Sequence, residues 1–587
     1  MDERFCEPAA DGHNAFGDTC VLWFNGLDEV GRVISSIRRK VKQTMASAGN
    51  QQIGWKATSK TGVVAAGSAE AVEAGIGILE SGGNAADAAV ATIFALNVTD
   101  HGDCSIGGEV PLIIYDAQNQ EVKAISGQGR APLLQEAVDW YMEHGIPGDG
   151  DIRMAPVPAV VDLCITTLQR YGTRTLKDVM TPALDLLDAG MEPWHPKLAI
   201  TLRRMIEEEE ITSGSREKKL QAATDRFYGR NKDRNDIADE LEADYIEKGG
   251  FLRKTDLAAH VTTIEDPVTV EYRGYTICKC GPWTQGPFLC QALRLLEGFD
   301  LKTMGQFSAD YIHVVAEATK LAMADRDEYY ADPDFVEVPL KALLSDAYTE
   351  IRRPLIDMKR ASLEACPGDP CGMQALKGPG VFRPGPGGTT TCVVADRWGN
   401  VVSATPSANV PEEPRDGGKA GITFSNRLRS LNTTPGHPNC IEPGKRPRIT
   451  LTPTLVLKDG KPVMAISVKG GDLQDQATLN LLLNVIEFDM LPEASVTAPR
   501  FATAHHQDSF DPNHDRLQTF KGPGSLTVSD GVSDSVQEDL VRRGHKLEVE
   551  ASPIASPVML YINHDSGVFH AAGDPRAERH AAGLSGK

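Results

Sequence analysis

Residues 378–388 read GPGVFRPGPGG, and no helix or strand runs through such a stretch. Its three prolines lock φ and lack an N–H, while its five glycines leave the backbone free, so the segment reads as a flexible connector. Regular structure has to restart after it. Thr389 to Ala395 is β-branched and strand-like, Arg397-Trp398-Gly399-Asn400 is a turn, and Val401 to Thr405 returns antiparallel. A second hairpin follows the same plan: Thr454 to Leu457, Asp459-Gly460, then Val463 to Val468. Gly470-Gly471 next opens a helix from about Leu473 to Phe488.

Ahead of the connector, the pattern becomes regular at Thr61. Val63 to Ala66 reads as a strand, Val72, Ile76 and Leu79 fall on one helical stripe, and Gly82-Gly83 stops that helix. Asn84 then caps a second, alanine-rich helix over Ala85 to Leu96. Further helices are expected around 158–170 and 176–190, and the charge-dense stretch at about 203–250 reads as exposed helices joined by polar turns. Strands and helices interleave, which points to sheets covered by helices. Residues 1–55 read as an extension, and the basic cluster at Arg38, Arg39, Lys40 and Lys42 as a solvated helix face.

With 587 residues, 41% hydrophobic and 24% charged, disorder, collagen-like repeats and a coiled-coil rod are disfavoured. Sixty basic against eighty-one acidic side chains give a charge of -21, which argues against a nucleic-acid or anionic-membrane partner. The start carries early acids and no apolar targeting core, and no run of 18 apolar residues occurs, so a cytoplasmic protein is expected. Eleven cysteines are thinly spread, with one close pair, Cys278 and Cys280, spaced C-x-C; reduced thiols fit best.

The chemistry concentrates where the connector meets the threonine strand. A threonine hydroxyl needs a base, and a free α-amine on the same residue, with a pKa of about 7.7–8.0, is an economical one. Cleavage between Gly388 and Thr389 would put nucleophile and base on one residue. Gly470-Gly471, between a strand and a helix, offers unobstructed backbone N–H groups to a developing oxyanion.

Over about residues 60–587 the chain resembles the γ-glutamyltransferase family of N-terminal-nucleophile (Ntn) hydrolases. The resemblance rests on ESGGNAADAAVAT, FYGRN, LRKTDLAAH, YRGYTI, ADRDEYYADPDF, TTTCVVADRWGNVVSAT, KRPRITLTPT, VKGGDLQ, APRF and AAGDPRA. It implies an α+β, four-layer αββα sandwich formed by both chains of a cleaved precursor. The parts would be an extension at 1–55, a large subunit at 56–388 and a small subunit at 389–587, held together as a heterodimer, with homo-oligomers of it left open. Position by position, Thr389 resembles the self-cleaving nucleophile and Thr405 the threonine that hydrogen-bonds it. Ser407 and Asn409 resemble residues lining the substrate pocket, and Gly470 and Gly471 the oxyanion pair.

Departures from the family pattern bear on the substrate. Gln128 stands where the transferases hold the glutamyl α-carboxylate with an arginine, and Ile449 and Thr450 replace two serines that assist it. Arg427 replaces a pocket glutamine or glutamate, and Ser430 an aspartate that binds the substrate ammonium. Arg130, two residues past Gln128 on one face of an extended segment, and Arg427 would hold a carboxylate placed differently. The expected substrate is a small carboxylate-bearing amide without an α-amino group, as in the oxamate amidohydrolases of this family. Glutathione-like γ-glutamyl compounds are the alternative; a silent binding homologue and a carbon-carbon hydrolase are further ones. The loop from Asn432 to Pro447 looks shorter than the lid of many relatives, which favours hydrolysis over transfer. No cofactor or metal is expected: His505, His506 and His514 follow no ligand spacing and read as a loop surface, and Asp325, Glu328, Asp332 and Asp334 lack the EF-hand pattern. Cys392 reads as core packing.

Overall fold

The computed structural model describes residues 53–585 apart from 149, 191, 377–388, 409–416 and 521. The extension up to residue 52, the connector and Asn409 therefore lie outside the described residues. Two seven-stranded sheets dominate the rest. The first runs in the order His580–Gly583, Gly62–Ala66, Cys392–Asp396, Val401–Ala404, Val110–Asp116, Glu121–Gly127, Thr263–Glu265. The second runs Lys56–Ser59, Val568–Gly573, Ser556–Asn563, Lys461–Lys469, Thr454–Lys458, Tyr275–Lys279, Val268–Tyr272. Every neighbouring pair in both is antiparallel.

Period-two alternation assigns the layers. Val63, Ala65, Val393 and Ala395 point into the cluster between the sheets, where they meet Leu455, Ala465, Val558 and Leu560. Their neighbours Val64, Ala66, Cys392 and Val394 face the other way, into an apolar layer shared with helices Ala69–Glu80, Ala85–Thr99, Val160–Tyr171 and Leu176–Ala189. On the far side Val456, Met464 and Ile466 pack under Pro287–Leu296, Ala309–Tyr329 and Gln474–Ile486. The result is helix, sheet, sheet, helix.

Both expected hairpins are present, and the first shows why its strand is shorter than its composition suggests. Laddering starts at Cys392, because Thr390 instead donates its N–H to the Pro406 carbonyl at 2.8 Å and Thr391 accepts from Gly67 at 3.1 Å. The Asn84 cap is a full capping box with Asp87. Two expectations need correcting. The helices His195–Ile211, Arg216–Tyr228 and Asp236–Glu247 are not simply exposed, since Leu220, Phe227, Tyr228, Ile237 and Leu241 are buried in the helical layer beneath their charged faces. His505 and His506 are buried too: His505 accepts from the Gly524 N–H at 2.9 Å and lies 3.0 Å from the Glu364 carbonyl.

Candidate active site

Thr389 is the first described residue after the connector, and it is 2% exposed. Its hydroxyl lies 3.4 Å from Ser407 Oγ. Ser407 is held by a two-way backbone bridge to Glu109, at 2.8 and 2.9 Å, so Ser407 and Glu109 are fixed together at the end of the first sheet. Arg427 spans both: Nη2 donates to Ser407 Oγ at 2.7 Å and Nε to the Glu109 carboxylate. Burial raises the pKa of Glu109, and the Arg427 charge opposes that rise.

Gln474, the first residue of its helix, closes the other side of Thr389. Its amide nitrogen donates to the carbonyls of Thr450 and Val468 at 3.0 and 3.1 Å. In that orientation its amide oxygen faces the Thr389 hydroxyl 3.5 Å away. The preceding turn carries Gly470 and Gly471, with φ of +158° and +57°. A Cβ on Gly470 would lie 2.9 Å from Ala555 Cβ, and one on Gly471 3.0 Å from the Phe510 ring. Glycine is thus required at both, and their N–H groups belong to a helical first turn, where amides lack intrahelical partners.

The remaining residues named from the sequence are placed as follows. The Thr405 hydroxyl is not on Thr389: it pairs with Ser467 Oγ at 3.0 Å, and Ser467 donates to the Ala404 carbonyl at 2.8 Å. Arg130 does not share a face with Gln128. Gln128 is 1% exposed, whereas Arg130 pairs with Asp334 at 2.9 Å and lines a separate cavity of about 230 Å³ with Leu133, His260 and Phe335. Four named residues carry buried polar atoms without a partner among the described residues: Gln128 Oε1, Arg427 Nη1, Ser430 Oγ and Thr450 Oγ1. Such atoms are few in folded proteins and mark places where a ligand or water completes the bonding.

Glu109, Ser467, Gln474, Arg448 and Phe510 were not found from sequence. GGE ahead of a strand and the Q of VKGGDLQ were the available signals for the first and third. His313, Glu317 and His545 also gather within 4.8 Å of one another. Their donors and acceptors are already in use: the two imidazoles share a 2.8 Å hydrogen bond, and Glu317 accepts from Lys320 at 2.7 Å and from Ser362 N–H at 3.0 Å. A buried ammonium on that carboxylate disfavours a cation there.

Two stacked antiparallel sheets between helical layers, with a buried threonine entering a central strand, define the architecture of an Ntn hydrolase. The γ-glutamyltranspeptidase family model matches residues 71–233 and 194–584, and the chain belongs to that family. It is 30% identical to the glutathione hydrolase proenzyme of Bacillus subtilis, over 90% of this chain and 92% of that protein. It is 28% identical to the acylase ACY 1 proenzyme of a Pseudomonas species, over 90% and 95%. The crystal structure of cephalosporin acylase from Bacillus halodurans superposes with a TM-score of 0.74 at 25% identity, covering 92% of this chain and 98% of the other. Among the described residues no helix is long and apolar enough to cross a membrane.

Proposed function

We propose that this chain matures by cleavage between Gly388 and Thr389 and then hydrolyses small carboxylate-bearing amides through an acyl-threonine. The observation that carries this reading is the Thr389 hydroxyl, buried between Ser407 and Gln474, whose helix follows the Gly470-Gly471 turn. The freed α-amine of Thr389 takes the hydroxyl proton as Oγ attacks the substrate carbonyl carbon. The carbonyl π bond opens to an oxyanion that the Gly470 and Gly471 N–H groups stabilise. Collapse breaks the C–N bond, and the leaving amine departs with that proton. Water then attacks the ester under the same base, releasing the acid and restoring Thr389.

An arginine is missing at Gln128 and an aspartate at Ser430, which disfavours the zwitterionic head of a γ-glutamyl donor. The names of the Bacillus subtilis relative and its like support the alternative, glutathione hydrolysis. The described cysteines are free thiols, in keeping with a reducing compartment such as the cytoplasm. Intact-mass analysis tests maturation: wild type should give two chains, one ending at Gly388 and one beginning at Thr389, and Thr389→Ala a single inactive chain. An active, uncut wild type would overturn the proposal. Turnover of glutaryl-p-nitroanilide in preference to γ-glutamyl-p-nitroanilide is expected, and the reverse would favour the alternative.

A further inference from the structure

We propose that Arg448, acting with Arg427, holds a carboxylate at the far end of the substrate's acyl group and so selects acidic over uncharged acyl donors. This rests on the amide-hydrolase reading above, and it assigns the acid-binding role to a residue on the strap ahead of Thr450 in place of Arg130.

Arg448 is anomalous among its kind. Eight arginines of the described residues are buried, and seven of them have a carboxylate within ion-pair distance. Arg448, 5% exposed, has none; its guanidinium makes one hydrogen bond, from Nη1 to the neutral Ser509 Oγ at 2.7 Å. A buried charge is ordinarily paired, so an unpaired one calls for a missing anion. Burial, reinforced by the nearby Arg326, pulls its pKa down to about 10. Asp472 and Asp327 are near enough to oppose that drop, but neither pairs with the guanidinium directly.

The position of that unpaired charge matches the reaction. Ser509 donates onward to Asp472, which directly follows the oxyanion residue Gly471. Phe510, next in sequence, packs against Gly471, and the guanidinium groups of Arg427 and Arg429 lie 5.5 and 4.9 Å from its ring centre. Arg427 reaches this ring while keeping a buried Nη1 without a partner, and its Nη2 is on Ser407 beside Thr389. Two residues past Arg448, the Thr450 carbonyl takes the Gln474 amide that faces Thr389. Arg448 and Arg427 therefore flank the Ser509-Phe510 pair, each with donors to spare. A carboxylate supplies acceptors to both in charge-assisted bonds, while the scissile carbonyl lies at the Gly470-Gly471 turn.

The test uses the full, processed enzyme, with glutaryl-p-nitroanilide and butyryl-p-nitroanilide as charged and uncharged donors of similar length. Arg448→Met keeps the buried stem and removes the charge; Arg448→Lys keeps a charge at that place. Arg448→Met should raise KM for the glutaryl donor by about 10- to 100-fold and leave the butyryl donor within about twofold, with Arg448→Lys intermediate. Its unfolding temperature should stay close to wild type, because no direct ion pair is broken. Equal losses on both donors, or no change on either, would overturn the proposal. Calorimetric binding of glutarate separates the two readings. If wild type turns over neither amide yet glutarate binding falls 10- to 100-fold in Arg448→Met, the hydrolase reading fails and the carboxylate site stands. If turnover is sound but glutarate binds both proteins alike, the carboxylate site fails and the hydrolase reading stands.

Discussion

Arg427 shows how a single side chain ties stability to chemistry. Its pairing with Glu109 is fully buried, so removing one partner strands the other's charge. Arg427→Met should destabilise the protein by about 3–5 kcal/mol, and adding Glu109→Gln should recover much of that loss. Thermal unfolding of the single and double variants checks this; a double variant no better than the single would show that charge stranding is not the cause. Ser407→Ala, which takes away the hydroxyl 3.4 Å from Thr389 Oγ1, should lower kcat by about 10²-fold with little change in KM. A change confined to KM would make Ser407 a binding residue only. What was legible here follows from distance along the chain. Thr389, Gly470 and Gly471 are expected from local chemistry together with the family resemblance, a hydroxyl after a breakable connector and two glycines at a strand-to-helix turn. Glu109 could not, because it meets Arg427 across 318 residues, and neither composition nor spacing encodes such a partner. Thr405 departs from its expected partner for a related reason: Ser467, 62 residues away on the facing sheet, takes its hydroxyl.

Caps and turns carried the elements into the sequence. Asn84 with Asp87 is a capping signature, and Trp398-Gly399 and Asp459-Gly460 sit in the two hairpin turns that were expected. Ser556–Asn563 and Val568–Gly573 gave no comparable sign: both are interior strands of a covered sheet, largely buried on both faces, so hydrophobic alternation is weak. The strap over Asn432–Cys440 was expected only as a loop, and its order depends on one imidazole. His437 Nδ1 accepts from the Asn439 N–H and pairs with Asn432 Nδ2, both at 3.0 Å, and Asn439 in turn holds the Ser430 carbonyl and the Arg448 N–H. Burial, with Arg516 nearby, lowers the His437 pKa to about 3. An unfolded histidine takes up its proton near pH ~6.5, so this group's contribution to stability is complete above that pH and is lost as pH falls toward the folded value. The slope is about 1.4 kcal/mol per pH unit for one proton. His437→Gln should therefore flatten the decline of the unfolding temperature between about pH 6.5 and pH 4. Parallel curves for the two proteins would remove His437 as the source.

At the scale of the whole molecule, the position of the proposed cut relative to the sheets decides whether the two fragments stay together. Residues on either side of the connector alternate within both sheets. Gly62–Ala66 lies between His580–Gly583 and Cys392–Asp396, and Val110–Asp116 pairs with Val401–Ala404. In the second sheet, Lys56–Ser59 pairs with Val568–Gly573 and Tyr275–Lys279 with Thr454–Lys458. The apolar layer between the sheets also draws on both sides, with Val63 and Ile113 against Val393 and Leu560. Length and composition alone left open several domains or one body, and it is this interleaving, invisible to local pattern, that makes the described residues from Ile53 onward one compact unit. Backbone ladders and apolar burial are insensitive to ionic strength, whereas exposed ion pairs are screened. After cleavage at residue 388 the two fragments should therefore co-elute in size-exclusion chromatography at low and high salt alike. They should part only in denaturant, together with loss of the β-sheet circular dichroism, because neither fragment can complete a sheet alone. For the same reason residues 389–587 expressed alone should stay unfolded, with Gly62–Ala66 missing from between their first and last strands and an open row of backbone donors and acceptors in its place. Fragments that separate in salt while keeping their folded spectra would show the interface to be electrostatic and the sheets to be independent.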